Sequence, residues 1–173
     1  ERERAFLRVF TPAAKFTVCR SGIDFVAECM EAVGGTGYCE ESELPRLYRE
    51  IPVNSIWEGA GNIMCLDVLR ALAKQPDARE MLAMEFDEVR GQNRHFDRAW
   101  RQLQQRLRTP RESLGREITR QLALLATGAQ LLRHFSPPFA AQWCRMALDP
   151  RGDTLVSQRV QDDVLLRATG AQA

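Results

Sequence analysis

The sequence predicts an all-α protein in which short turns join amphipathic helices into a bundle. Apolar side chains recur at intervals of three and four residues over most of the 173 residues, which is the period of one helix face. No segment of useful length alternates apolar and polar residues as a half-buried strand does. Glycine and proline stand between the periodic segments, where they end helices. A chain of this length can form one domain with its own core.

The first helix is expected to run from Arg4 to about Val33. Pro12 could end a first short piece, because a proline inside a helix removes a hydrogen bond and clashes with the preceding turn. Gly34 and Gly35 end the helix, since glycine accepts the left-handed conformation of a helix C-terminus. The segment lacks the apolar region of a signal peptide. It begins without Met and without an N-cap, which indicates a fragment of a longer chain.

The next segment, residues 35–53, is predicted to be a loop with one helical turn around Pro45–Tyr48. A new helix then begins with Asn54 or Ser55 as its N-cap. This start places Glu58 in the first turn of the helix. Further helices are expected over Asp77–Leu107, Glu112–Phe135, a shorter segment that ends at Leu148, and Thr154–Ala168.

Composition limits the classes of site that the chain can hold. The five cysteines are scattered and none forms a CxxC pair, which favours free thiols in a reducing compartment such as the cytoplasm. His95 and His134 lie far apart without acidic or cysteine partners at ligand spacing, so no metal site is expected. No apolar run approaches the roughly 18 residues that a membrane-spanning helix needs.

Three features suggest chemistry, and each has a plainer interpretation. The glycine cluster that starts at Gly34 is a simple turn, or a stretch of exposed backbone amides that contacts phosphate. Glu58 is a carboxylate that caps a helix, or a general base whose pKa the neighbouring Trp57 raises by desolvation. Nine arginines between Arg90 and Arg120 form a solvated helix face, or a surface that binds phosphate in duplex nucleic acid or in a cofactor.

The region from Met30 to Arg70 resembles the C-terminal helical domain of the acyl-CoA dehydrogenase family. The matching pieces, in chain order, are Gly34-Gly35-x-Gly37-Tyr38, Pro45-x-x-Tyr48-Arg49-Glu50 and Ile56-Trp57-Glu58-Gly59. Within the family, the region is similar to the branch associated with bacterial resistance to alkylating agents. The resemblance implies that residues 1–75 are part of this domain and that residues 76–173 are an arginine-rich helical extension packed on it.

The resemblance also implies a function and its residues. The parent protein would be an FAD-dependent enzyme that dehydrogenates an acyl-CoA between its α and β carbons, as a homotetramer or homodimer. Glu58 matches the position of the base that removes the α-proton of the substrate. The residues that match cofactor-binding positions are Gly34, Gly35, Gly59, Ala60 and Asn62.

Two further functions remain open at this stage. The same branch of the family implies binding of double-stranded DNA through a basic surface on the C-terminal helices. Arg70 matches a position in that surface, and spacing alone adds Arg90, Arg94, Arg98 and Arg101 as candidates. Alternatively, the chain is only an assembly domain whose helices pack into an oligomer core.

Overall fold

The computed structural model describes residues 2–149, and these residues are helical apart from short turns. No strand occurs within this range, so the predicted all-α bundle is confirmed. The predicted helix over Thr154–Ala168 lies outside the described residues. In chain order the α-helices are α1 (Arg2–Val33), α2 (Gly35–Tyr38), α3 (Leu44–Asn54), α4 (Gly61–Lys74), α5 (Pro76–Asp87), α6 (Arg94–Arg108), α7 (Gly115–His134) and α8 (Pro137–Leu148), and a single 3-10 turn (Glu112–Leu114) precedes α7.

Helix α1 continues through Pro12, so the predicted short first piece does not exist. A proline inside a helix costs about 3 kcal/mol. The buried side chains Val9, Ala13 and Phe16 lie on both sides of this position, and their packing offsets the cost of the proline. The predicted end of α1 is confirmed, because Gly34 has a φ of 77° and its N–H donates to the Met30 carbonyl at 3.1 Å.

The loop predicted over residues 35–53 is wrong, since α2 and α3 occupy most of this segment. Pro45 lies in the first turn of α3, where proline has no hydrogen-bond donor to lose and its fixed φ suits the helix. Pro52 lies in the last turn of the same helix rather than in a connecting loop. The glycines and prolines of this segment therefore mark helix ends instead of a long loop.

The start of α4 also differs from the prediction of an N-cap at Asn54 or Ser55. Helix α4 begins at Gly61, because Glu58 has a φ of 53° and Gly59 a φ of 111°. Neither conformation belongs to a right-handed helix. Glu58 thus lies in a turn before α4, and we call residues Ser55–Ala60 the glutamate turn.

The long helix predicted over Asp77–Leu107 is interrupted by a turn between α5 and α6. Gly91 has a φ of 84° in this turn. The side chain of Asn93 then accepts hydrogen bonds from the backbone N–H groups of His95 and Phe96, at 2.9 and 3.2 Å. Asparagine is a favoured N-cap residue, so this capping starts a new helix and leaves Arg90 outside α6.

The chain divides into two compact units. Of the described residues, the first unit comprises those up to Ala78 together with Arg111–Arg120, and the second comprises Arg79–Pro110 and those from Gln121 to Asp149. In the first unit, α1 packs against α2, α3 and α4. The boundary predicted between residues 75 and 76 stays a prediction.

The core of the second unit contains a cluster of three aromatic side chains. Phe86 contacts Phe96 and Trp100 edge to face, with ring centroids 6.1 and 5.0 Å apart. The indole N–H of Trp100 donates to the Asp87 carboxylate at 2.8 Å, which satisfies the polar edge of a buried ring. No helix within residues 2–149 combines the length and the apolar character needed to cross a membrane.

Candidate functional site

Glu58 occupies an unusual backbone conformation in the glutamate turn. Among the described residues it is the one non-glycine residue with a positive φ. Such a conformation costs on the order of 1–3 kcal/mol and persists where the surroundings hold it. The first turn of α4 contains no acidic residue, and Ala60 is its N-cap without a side-chain hydrogen bond. The interpretation of Glu58 as a capping carboxylate in the first turn of α4 is therefore wrong.

Lys15 of α1 holds the glutamate turn from both sides of Glu58. Its ammonium donates to the backbone carbonyl of Trp57 at 2.6 Å and to that of Gly59 at 2.7 Å. Below the turn, the methyl group of Met64 occupies the space that a Cβ at position 59 would need. Because Gly59 also has a positive φ, only glycine fits this position.

Glu58 borders an open groove of about 750 Å³ within the first unit. Two other residues of the groove, Arg8 and Asp67, form a bidentate ion pair with N–O distances of 2.5 and 2.6 Å. The hydrogen bond from Arg8 holds the pKa of Asp67 below its ordinary value. Two of the three positive charges of α1 at this groove have specific partners, since Arg8 binds a carboxylate and Lys15 binds two carbonyls.

Exposed apolar side chains neighbour Glu58 in the glutamate turn and in the first turn of α4. The exposed fractions of Ile56, Trp57 and Ile63 are 65%, 59% and 51%, and Ile63 approaches Gly59. Glu58 itself is exposed. A carboxylate within such a patch loses its hydration when a ligand or another part of a protein covers the patch.

The glycine cluster at the end of α1 contains two kinds of glycine. A Cβ on Gly37 would lie 2.6 Å from the Met30 carbonyl oxygen, so Gly37 is needed for close packing. By contrast, no atom lies within 4 Å of the Cβ position of Gly34 or Gly35. The backbone at these two residues is open, and it fits a group such as a pyrophosphate that must approach the main chain closely.

The two groups of predicted cofactor residues do not come together within one chain. Gly59 and Ala60 adjoin Glu58, whereas Gly34 and Gly35 lie beyond the far end of α1. From Lys15 to Gly34 the helix extends roughly 29 Å at 1.5 Å per residue. Asn62, at the start of α4, accepts a hydrogen bond from the Arg116 guanidinium at 2.8 Å.

The predicted DNA-binding arginines also separate into groups. Arg94, Arg98 and Arg101 lie on the exposed side of α6. The opposite side of this helix buries Phe96, Ala99, Trp100, Leu103 and Leu107. Arg90 is exposed in the turn before α6, and Arg70 is exposed on α4 in the first unit. We call Arg94, Arg98 and Arg101 the arginine face.

Sequence reasoning did not identify Lys15 or Met64 as part of the site. The acceptors of Lys15 are main-chain carbonyls, 42 and 44 residues further along the chain. Main-chain acceptors leave no trace in residue types. The one available signal is composition, because Lys15 is one of two lysines in a chain with 22 arginines.

Comparison with known proteins gives a consistent family assignment. Residues 1–73 match the family model for the acyl-CoA dehydrogenase C-terminal domain. The chain is 63% identical to AidB of Escherichia coli over 98% of its own length and 31% of that protein. It is 28% identical to acyl-CoA dehydrogenase family member 11 of Caenorhabditis elegans, over 93% of its length and 31% of that protein. The chain thus spans about a third of the length of these relatives.

Solved structures agree with this assignment. The structure of Caenorhabditis elegans ACDH-11 in complex with C11-CoA superposes with a TM-score of 0.76 at 26% identity, covering 83% of this chain and 29% of that one. The apo form of Bd2924 superposes with a TM-score of 0.64 at 32% identity, covering 76% of this chain and 25% of that one. Residues 1–73 of this chain therefore match the C-terminal domain of the acyl-CoA dehydrogenase family, and nearly the whole chain is similar to one protein named for that family.

Proposed function

We propose that this chain is part of an FAD-dependent acyl-CoA dehydrogenase and that Glu58 is its catalytic base. The observation that carries the proposal most is the glutamate turn, which places a carboxylate beside an open groove. Lys15 and Met64 hold this turn in one conformation. Since the chain spans about a third of its relatives, the activity belongs to a longer polypeptide that supplies the remaining walls of the site.

In this proposal Glu58 accepts the α-proton of an acyl-CoA bound in the groove. FAD, when bound, supplies the acceptor for the hydride that leaves the β-carbon. Substrate and cofactor would cover Ile56, Trp57 and Ile63, and water would then be excluded from the carboxylate. Desolvation favours the neutral form of a carboxyl group, which makes its anion a stronger base.

The residues proposed to bind the cofactor lie in two places, one beside Glu58 and the other at the C-terminal end of α1. Gly59, Ala60 and Asn62 would contact the cofactor close to the base. Gly34 and Gly35 would offer open backbone to the pyrophosphate and adenosine end. Because about 29 Å of α1 separates these places, we propose that the glycine cluster serves the cofactor of a neighbouring copy in a homodimer or homotetramer.

An absorbance titration of the longer polypeptide tests this function. The purified protein should show an oxidised flavin spectrum, and the flavin band should bleach when a suitable acyl-CoA is added without oxygen. A panel of acyl-CoAs of increasing chain length then identifies the substrate class. Flavin that stays oxidised with every member of the panel would contradict the dehydrogenase function.

A second candidate function is binding of double-stranded DNA, and the arginine face is the observation that favours it. Its residues follow one another at four and three positions, so three guanidinium groups share one exposed side of a rigid helix. Guanidinium groups bind phosphate oxygens with two parallel hydrogen bonds. Arg70 and Arg90 would add contacts outside this face. The expected mode is backbone binding without sequence preference.

Salt dependence tests the DNA-binding function. Each phosphate contact contributes about −0.9 to the slope of log affinity against log salt. Arg94→Gln combined with Arg98→Gln should weaken duplex binding and reduce the slope by about 0.9 for each lost contact. The matched control combines Arg46→Gln with Arg49→Gln, because Glu50 and Glu40 already neutralise these arginines. Equal effects of the two double variants would contradict the assignment of the arginine face.

A further inference from the structure

We propose that Lys15 is a positioning residue for Glu58, which fixes the backbone that carries the base and thereby sets the rate of α-proton removal. The inference rests on the proposed function of Glu58. Lys15 does not contact the reacting atoms in this proposal. It acts through the two carbonyls that precede and follow Glu58 in the glutamate turn.

The geometry of its hydrogen bonds favours a positioning role for Lys15 over an incidental contact at the protein surface. The Lys15 ammonium lies between two carbonyl oxygens at 2.6 and 2.7 Å, within hydrogen-bond distance of both. The residue between those carbonyls is the one with the strained backbone, with a φ of 53°. If either bond breaks, the local conformation loses the contact that offsets its strain.

Lys15 projects from a helix that is itself held in place, so the glutamate turn is held rigidly. Lys15 extends from the middle of α1, between the buried residues Ala13 and Phe16. About two helical turns towards the N-terminus, Arg8 binds Asp67 of α4 with two hydrogen bonds. The turn is therefore held from a helix that is itself tied to α4, rather than from a mobile loop.

An ammonium suits this role for a chemical reason. It has three N–H donors and no acceptor, so it can bind two carbonyl oxygens at once and repels neither. A methionine of similar length would leave both carbonyls without this donor. A displacement of the base of about 1 Å can cost about 10²-fold in rate, whereas binding of the acyl-CoA through other groups need not change.

The test measures flavin reduction in the flavin-loaded longer polypeptide. Stopped-flow absorbance gives the rate constant at saturating acyl-CoA and the concentration at half saturation. Lys15→Met should lower the saturating rate constant by about 10²-fold and leave the half-saturating concentration and flavin content near those of the unsubstituted protein. Its kinetic isotope effect with α-deuterated acyl-CoA should rise, because removal of the α-proton then limits the rate more fully.

Three matched variants complete the design. Lys15→Arg keeps two or more charged donors and should recover part of the rate lost in Lys15→Met. Lys74→Met changes the other lysine of the chain, at the end of α4, and should behave as the unsubstituted protein. Lys15→Gln is uncharged and shorter by one atom, and it replaces Lys15→Met with the same expectation if that variant loses its flavin.

The outcomes separate this inference from the proposed function. A Glu58→Gln variant that still reduces flavin at the original rate overturns Glu58 as the base. If Glu58→Gln is inactive while the separate variant Lys15→Met keeps the original rate, the proposed role of Lys15 is overturned and that of Glu58 stands. An equal loss of flavin content, substrate affinity and rate in Lys15→Met and Lys15→Gln also overturns it, because that pattern describes general structural damage.

Discussion

Single side chains determine which parts of this molecule can react. Lys15 and Met64 hold the backbone of the glutamate turn, so the orientation of Glu58 depends on contacts from α1 and α4. The environment of each side chain also determines the reactivity of the cysteines, which differ widely in exposure. Cys39 is exposed, whereas Cys65 and Cys144 are buried.

Thiol reactivity provides a prediction at this scale. Burial raises the pKa of the Cys144 thiol to about 12, and desolvation also raises the pKa of Cys65. Near pH 8 only roughly one Cys144 in 10⁴ is therefore a thiolate, the form that reacts. In native protein we expect iodoacetamide to modify Cys39 and to spare Cys65 and Cys144, as peptide mass spectrometry would show.

The control for this prediction is the same reaction in concentrated urea. Unfolding removes the burial, so all cysteines should then react at similar rates. Modification of Cys144 in native protein as fast as that of Cys39 would show that the second unit does not bury this thiol.

At the scale of elements, α1 organises the first unit. Its middle carries Lys15, and its C-terminal end carries the glycine cluster. Gly37 of α2 packs directly on the last turns of α1, since a Cβ there would lie 2.6 Å from the Met30 carbonyl oxygen. Gly35, two residues earlier, has open space at its Cβ position.

This difference predicts opposite behaviour of two neighbouring glycines. Gly37→Ala should destabilise the protein by about 1–3 kcal/mol, because backbone must move to admit the methyl group. Gly35→Ala should change the free energy of unfolding by less than about 0.5 kcal/mol. Urea denaturation followed by circular dichroism measures both, and equal stability of the two variants would contradict the described packing of α2 on α1.

Helix periodicity predicted the elements better than their ends. The apolar periods predicted the bundle and the helix that ends at Leu148, whereas the end of α1 at Gly34 was predicted from the conformational freedom of glycine. The break between α5 and α6 escaped prediction because the apolar period continues across it, although Gly91 and the N-cap Asn93 are local signals that were available. These two residues could have been interpreted correctly from the sequence.

The glutamate turn could not have been predicted in this way. Its positive φ at Glu58 depends on a lysine 42 residues earlier than the first of its acceptor carbonyls. Local propensity instead favours a helix start at Asn54 or Ser55. The resemblance to a family nevertheless identified Glu58 and the glycine cluster as candidates, because it relies on residue identity and spacing rather than on local conformation.

At the scale of the whole molecule, the part of the chain that matches a known family model differs in character from the second unit. Residues 1–73 match the acyl-CoA dehydrogenase C-terminal domain, and this part contains the glutamate turn and the glycine cluster. The second unit contains the arginine face and the buried cluster of Phe86, Phe96 and Trp100. Dehydrogenation is therefore proposed for the first unit and DNA binding chiefly for the arginine face of the second, with Arg70 of the first unit as an added contact. Variants of the arginine face need not affect dehydrogenation.

The central claim is that the Glu58 carboxylate removes the α-proton of an acyl-CoA. The most direct measurement is the rate of flavin reduction by acyl-CoA in Glu58→Gln, which keeps the size of the side chain and removes its basicity. Glu41→Gln, an exposed residue away from the glutamate turn, is the matched control. We expect Glu58→Gln to bind flavin normally and to lose at least about 10²–10⁴-fold in rate, while Glu41→Gln keeps the original rate. Flavin reduction by Glu58→Gln at the rate of the control would contradict the claim.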